Sequence, residues 1–338
     1  MKILYAIQGT GNGHVSRALE VVPHLQKRAD VDVLISGNQC ELELPFPIKY
    51  KYYGLSFIFG KKGGIDIIQT LKKTKFKNLI KEIKTVPVKN YDLVINDFEP
   101  VTAWACKLNN VPIISLSHQN AVADENAPKY GILKPEKFIL KYYAPAKNKF
   151  GFHFKTYSSA TFLPIIRKEI RHRNITNKGH YTVYLPAYGD KKLIKILSHF
   201  KHVKWEVFSK HSNEFKLHHN ITIRPINGEE FIKSIASSSG VLCGAGFETP
   251  AEALFLKKKL MVIPMKNQYE QQCNALALEE MGVPVLKKLS KKQIRKIDKW
   301  LKSKEVVQVN YPDVTEDILD AIILPYYNET LLPQITIG

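Results

Sequence analysis

The sequence predicts an α/β protein of two Rossmann-like, doubly wound domains facing a shared cleft. Three observations carry that expectation. The 338 residues suffice for two domains with separate cores. Short apolar strands alternate with amphipathic helices in two successive runs, the pattern of parallel sheets covered on both faces. Each run also contains a strand that passes through glycines straight into a helix: Gln8-Gly-Thr-Gly-Asn-Gly-His14 near the start and Cys243-Gly-Ala-Gly-Phe-Glu-Thr-Pro-Ala-Glu252 further on. Such a junction aims backbone N–H groups and the positive end of a helix dipole at one point, which suits a phosphate.

The first run reads as a strand over 2–7, a helix over 14–28 and a strand over 31–36. After an irregular aromatic and basic stretch come a strand over 93–96, a helix over 100–108 and a strand over 112–115. Residues near 150–180, with Pro164, the basic segment 167–173 and the polar residues up to Gly179, break the rhythm and mark the domain connection. The second run has strands over 181–185, 204–208, 221–223, 240–243 and 260–263, with helices over 191–200, 229–236, 248–255 and 269–281. A helix over 314–323 and a proline-broken tail close the chain. The expected units are an acceptor domain over 1–155, a nucleotide-sugar donor domain over 156–310, and a C-terminal segment over 311–338 that packs back on the first domain. Ligands of doubly wound sheets lie at the carboxyl ends of the strands, so two such domains put theirs in the crevice between them.

Composition narrows the function classes. No apolar run approaches the ~18 residues of a membrane span, and the apolar N-terminus is too short for a signal sequence and leads directly into a glycine loop. The four cysteines, at 40, 106, 243 and 273, have neither metal nor disulfide spacing, which points to a reducing cytoplasm. The net charge of +19 divides evenly, +9 over residues 1–150 and +10 over the rest. Such a field favours an anionic partner, and a lysine-rich background is an equal explanation. Residues 61–89 hold nine lysines and two acids interleaved with apolar side chains. They read either as a helix packed on its own sheet or as one lying on the anionic inner face of a membrane.

Several residues stand where chemistry is expected. Gly9, Gly11 and Gly13 follow a strand and open a helix, yet His14 breaks the dinucleotide fingerprint and no Gly-Lys-Ser/Thr follows. His14 starts the helix, whose positive end favours the neutral imidazole that a general base requires; a capping or surface role is the plain alternative. Arg17, one turn on, either holds a phosphate or faces solvent. Asp97, within Asn96-Asp-Phe-Glu99, and His118, within Ser117-His-Gln119, lie just past strand ends. Either competes with His14 as base, or Asp97 orients an acceptor; loop capping is the alternative for both. Thr249, Pro250 and Glu252 read as N-cap, first and third helical residues of a capping box. The Glu252 carboxylate either returns to the Thr249 N–H or accepts bonds from vicinal ribose hydroxyls. Glu270, Gln271 and Asn274 open the next helix, within reach of a sugar. No Asp-x-Asp metal motif is read in the chain, so no metal is expected.

With these motifs assembled, the chain resembles the GT-B glycosyltransferases, most closely the branch containing the lipid II-forming N-acetylglucosaminyltransferase of peptidoglycan synthesis. Gly9-Thr-Gly-Asn-Gly-His14 matches that branch's first glycine loop. Gly246 to Glu252, then Pro264, Glu270-Gln271 and Asn274, resemble its donor signature, with a Glu252-to-Gln271 spacing near that of plant and animal glucosyl- and glucuronosyltransferases. The resemblance implies transfer of a hexose or N-acetylhexosamine from a nucleoside-diphosphate sugar, UDP-linked, to a hydroxyl acceptor without a cofactor or metal. It implies His14 as base, Glu252 on the donor ribose, and Gly11, Gly13, Gly246, Phe247 and Thr249 toward the diphosphate. Glu270, Gln271 and Asn274 would hold the sugar and Ile226 would lie against the base. The acceptor expected is lipid-linked or anionic, and nucleic acid is not an expected partner. Two departures stand: Ala-Gly-Phe-Glu-Thr replaces the histidine-containing run of the plant-type signature, and the first loop lacks the lipid II enzyme's second glycine pair. A nucleotide-sugar epimerase or hydrolase on the same fold is the alternative.

Overall fold

A computed structural model describes residues 1–10, 12–37, 44–55, 76–131, 139–140 and 142–331. Gly11 and residues 61–75 of the lysine-rich stretch therefore lie outside the described residues.

The first domain builds from β1 (Lys2–Gln8), α1 (Asn12–Gln26), β2 (Asp30–Ser36), β3 (Tyr50–Tyr52), α2 (Phe76–Thr85), β4 (Leu93–Asp97), α3 (Pro100–Asn109), β5 (Ile113–Leu116), α4 (His118–Ala123), β6 (Asn148–Phe152) and β7 (Thr161–Phe162). The strands pair in the order β3-β2-β1-β4-β5-β6-β7, all parallel. β1 is apolar on both faces because it is covered on both: Ile3, Tyr5 and Ile7 enter one core cluster, Leu4 and Ala6 another. The order reverses between β1 and β4, so their carboxyl ends, carrying Gln8 and Asp97, open at the topological switch point.

β6 and β7 were not expected. The stretch read as a domain connection instead extends the first sheet to Phe162, beyond residue 155. Both strands are short, and β6 runs from exposed Asn148 and Lys149 to buried Gly151 and Phe152, so only its second half is covered and the apolar signal is weak. On α2, Leu79 and Ile83 turn onto the core, whereas Phe76 and Ile80 stay exposed.

The second domain follows α5 (Lys168–Arg171). It contains β8 (His180–Tyr184), α6 (Asp190–Leu197), β9 (Lys204–Ser209), β10 (Lys216–His218), β11 (Ile221–Pro225), α7 (Gly228–Ser237), β12 (Gly240–Gly244), α8 (Glu248–Phe255), β13 (Lys259–Ile263), α9 (Tyr269–Glu280) and α10 (Ile294–Lys302). Its order is β10-β11-β9-β8-β12-β13, parallel except for the β10–β11 edge pair. The switch point falls between β8 and β12, and β12 is the strand that runs into α8.

The closing helix, α11 (Thr315–Leu331), passes through Pro325 instead of ending near residue 323. Ile318, Leu319, Ile322 and Ile323 are buried in the cluster that includes Val15, Val21, Val22 and Leu25 of α1. Glu316 meets His24 at 2.8 Å and Lys27 at 2.9 Å, and Asp320 pairs with Arg28. That packing onto the first domain offsets the one backbone hydrogen bond the proline removes. Among the described residues no helix is long and apolar enough to cross a membrane.

Candidate active site

The two switch points meet. A methyl group added at Gly13, on the first turn of α1, would stand 3.6 Å from Cγ of Glu248, the first residue of α8. Gly9 is there for packing: a Cβ would fall 2.9 Å from Ile35 Cγ1 and 3.0 Å from Ser36 O, too close for any side chain. Gly246 is the opposite case. Its φ is not in the left-handed region and a Cβ would touch nothing within 4 Å, so neither backbone strain nor packing requires the glycine.

His14 lies on α1, with Nδ1 2.8 Å from Asp97 Oδ1 at the end of β4. Asp97 is fully buried and held by Arg17 Nη1 at 2.8 and 2.7 Å. Burial alone would raise its carboxyl; Arg17 first, then His14, hold it below the usual carboxylate range. An ionised carboxylate only accepts, so Nδ1 of His14 carries the proton and Nε2 bears the lone pair. That lone pair faces Nε2 of Gln119, 3.4 Å away, and the same amide donates to Glu270 Oε2 at 3.0 Å. In the neutral ring this orientation leaves Nε2 as the proton-accepting nitrogen, while both Asp97 oxygens are already engaged by His14 and Arg17.

Phe98, directly after Asp97, has φ 56° and stacks on Tyr143 at 4.8 Å. A left-handed aromatic residue is costly backbone, and here it turns the chain so that Glu99 caps α3 through the N–H groups of Val101 and Thr102. The Asn96 amide donates to the Glu99 carbonyl. Asn96 and Glu99 thus serve the loop, while Asp97 bonds His14 and the Phe98 ring lies parallel to its imidazole, centroids 6.5 Å apart.

Three expectations are corrected. Arg17 does not face solvent; it is buried, with Nη1 on Asp97 and Nη2 crossing to Glu248 Oε1 at 2.7 Å. His118 is not a candidate base: it is buried, its Nδ1 lies 2.7 Å from Phe152 O and its Nε2 2.9 Å from Asn274 Oδ1. Burial depresses its pKa, with Glu270 opposing. The capping box does not form. α8 already begins at Glu248, Phe247 precedes it, and Glu252 accepts from Arg167 Nε at 2.6 Å instead of from Thr249.

The donor-side residues separate by exposure. Asn274 is completely buried, its amide shared between His118 and Ala245 O, which removes it from sugar contact. Gln271 is buried and accepts from the Met265 N–H at 2.9 Å. Phe247 stacks its ring on His118, centroids 4.0 Å apart and nearly parallel, and ties the head of α8 to the first domain. Gly246, Thr249, Glu270 and Ile226 remain partly exposed. Glu252 is buried beside Arg167, at a position a ligand reaches only by displacing or sharing that cation.

From the sequence, Gln119 stands just past a strand end without a role, and Glu248 has none. Burial, reinforced by Glu252 and Asp97 and opposed by Arg17, pushes the Glu248 carboxyl up to about 7. A carboxyl raised in the folded state stabilises fully below its unfolded value, about 4.3, and loses that contribution as pH rises through 7. Melting temperature should therefore fall between pH 5 and 8 by more in the wild type than in Glu248→Gln; equal slopes in both would remove Glu248 as the cause.

Among the described residues no group of three or more His, Cys, Asp or Glu side chains could hold a metal ion. The chain does spell Asp-x-Asp once, at Asp30-Val-Asp32, but this starts β2 at the end of the sheet away from His14, and Asp32 takes Lys49 and Tyr91.

Against known proteins, residues 1–303 match the family model described as glycosyl transferase family 1. No curated protein matches. MurG of Acinetobacter baumannii superposes with a TM-score of 0.58 at 17% identity, covering 95% of this chain and 98% of that one. The spinosyn rhamnosyltransferase SpnG, in its complex with thymidine diphosphate, gives 0.56 at 12% identity, with 97% and 96% covered. The Listeria monocytogenes protein assigned as a UDP-N-acetylglucosamine 2-epimerase gives 0.61 at 12%, with 100% and 99% covered. At these identities the structural matches establish the GT-B fold.

Proposed function

The chain belongs to glycosyl transferase family 1, and on that premise we propose that it moves a hexose or N-acetylhexosamine from a nucleoside-diphosphate sugar, UDP-linked, to a hydroxyl acceptor. The observation that carries the proposal is the opposition of His14, oriented by Asp97, to the head of α8 with its open Gly246. The acceptor oxygen bonds to the anomeric carbon as the bond from that carbon to the diphosphate breaks. The acceptor proton passes to His14 Nε2, and the electron pair leaves on the diphosphate oxygen. Free N–H groups at the start of α8 stabilise that charge. Glu270 and Gln271 serve the sugar hydroxyls, Thr249 and the glycine N–H groups the diphosphate, and Ile226 the base. Glu252 takes the ribose, its Arg167 partner yielding one carboxylate oxygen. No resident cofactor enters this reading. The resemblance of the glycine loops supports the lipid II-forming branch and, with it, a lipid-linked or anionic acceptor met at the inner membrane face.

Gly246→Val tests the donor site. With no atom near the added side chain and no strained φ, the variant should fold with a melting temperature close to wild type. It should also lose the stabilisation that saturating UDP-sugar gives the wild type, about 2.7 kcal/mol at a hundredfold excess over Kd. Retained stabilisation by donor would refute the assignment of the α8 head. The Listeria match keeps a second reading, an epimerase or hydrolase, which would consume donor with no acceptor present.

A further inference from the structure

Among the described residues, the cleft around the head of α8 holds more carboxylates than guanidinium groups. Glu248 opens α8 and lies against the first turn of α1, where a Cβ on Gly13 would stand 3.6 Å from its Cγ and 3.8 Å from its Oε1. The charged and titratable groups facing it come from every element packed there. α1 brings Arg17 and His14, β4 brings Asp97, and β1 brings Tyr5. Glu252 lies on α8 itself, and Arg167 precedes α5. Asp97 holds Arg17 Nη1 with both oxygens, and Glu252 holds Arg167 Nε at 2.6 Å. Glu248 shares an Arg17 that already serves Asp97, through Nη2 at 2.7 Å. Burial raises the Tyr5 hydroxyl well above its ordinary value, so it adds no charge. While the His14 imidazole is neutral, three acids therefore face two guanidinium groups, and Glu248 is the surplus one.

The surplus shows in proton affinity: burial, then Glu252 and Asp97, push the Glu248 carboxyl up to about 7 against the pull of Arg17 and His14. Exposure decides which partner can leave. The Arg17 side chain is buried, whereas that of Glu248 is partly exposed, so the carboxylate and not the guanidinium is free to move. The gap it fills favours an anion, because α1 and α8 both begin there and turn backbone N–H groups and positive dipole ends toward it. A diphosphate entering the same gap adds two negative charges to one already in excess. It is accepted only if Glu248 gives up its charge and its place on Arg17.

We infer that the Glu248 carboxylate is a built-in stand-in for the donor diphosphate, which replaces it on Arg17 Nη2 while Glu248 takes up one proton from solvent. The inference rests on the proposed reading of the α8 head as the diphosphate site, and it deepens that reading in two ways. It makes Arg17 a phosphate ligand from the first domain, and it makes Glu248 the residue that sets how donor affinity varies with pH. The sign is definite. Below pH 7 the carboxyl is already protonated and the donor enters without a proton; above pH 7 each binding event must first supply one, so affinity falls as pH rises.

The test is calorimetric titration of the wild type and Glu248→Gln with UDP-glucose and UDP-N-acetylglucosamine at pH 6, 7 and 8. The doubly esterified diphosphates of these probes do not titrate in that range. Wild-type affinity should drop about tenfold from pH 6 to pH 8. Glu248→Gln, neutral throughout, should change by less than about twofold and bind about tenfold more tightly than the wild type at pH 8. A second measurement needs no variant: wild-type titrations at pH 8 in Tris and in HEPES, whose ionisation enthalpies differ, should reveal uptake of about 0.9 proton per donor bound. Wild-type affinity that is level across the range, a pH dependence that persists in Glu248→Gln, or binding without proton uptake would each overturn the inference. So would weaker or unchanged donor binding by Glu248→Gln at pH 8, the result expected of a carboxylate that only clamps the two domains. Failure of both probes to bind the wild type at pH 6 would overturn the α8 head as the diphosphate site, and this inference with it, whereas binding that ignores pH overturns this inference alone.

Discussion

His14→Ala should reduce turnover by about 10²–10⁴-fold, the range that a positioned general base supplies, while leaving donor binding unchanged. The separation follows from geometry. Nε2 faces the first-domain side of the cleft at Gln119, and the proposed diphosphate site is built from α8. Asp97→Asn should follow the same pattern with a smaller loss, because the amide no longer fixes the proton on Nδ1, yet Nε2 remains available in part of the population. Thermal-shift titration with UDP-sugars reports binding, and single-turnover product formation reports chemistry. If His14→Ala turns over at the wild-type rate, the base lies elsewhere. If it loses donor stabilisation together with activity, His14 is a donor ligand and the proton goes to another group.

The place of His14 at a helix start in the cleft was legible in the sequence because its signal is local: a strand, three glycines and a helix start, within a dozen residues. The alternation of strands and helices was legible for a related reason, since β1, β4, β12 and β13 are buried on both faces and apolar almost throughout. What was not legible was made by distant pairs. Arg17 meets Glu248 across 231 residues and Gln119 meets Glu270 across 151. No periodicity or spacing encodes such a meeting; it exists only once the two switch points face each other. The capping box failed in the same way: Thr249-x-x-Glu252 has the right local pattern, but Arg167, 85 residues upstream, takes the carboxylate. The short edge strands β3, β7 and β10 were missed because two or three residues carry no period, and β10 consists of exposed Lys216, Leu217 and His218.

Arg17 is where that distant wiring has its largest energetic consequence. It is buried, on both oxygens of Asp97, paired with Glu248 and 5.3 Å from the Phe152 ring, so it connects the partner of His14 with the helix proposed to hold the donor. Arg17→Met keeps the bulk and removes the charge. It should destabilise the protein by about 3–5 kcal/mol near pH 7, because a fully buried Asp97 carboxylate loses its main counter-charge. The pH dependence has a definite sign. In the wild type the folded-state pKa of Asp97 is depressed, so its contribution is present above the unfolded value, about 3.9, and is lost as pH falls through the folded one. Without Arg17 the carboxyl shifts upward, so the penalty should be greatest at neutral pH and should shrink on acidification toward pH 4. Asp97→Asn placed on Arg17→Met should recover part of the loss by removing the unpaired charge, and this recovery separates an electrostatic cause from a cavity. Urea denaturation of the two variants across pH decides it. A loss below about 1 kcal/mol, or one that is the same at pH 4.5 and 7 and is not relieved by Asp97→Asn, would show that Arg17 fills space without holding the charge network together.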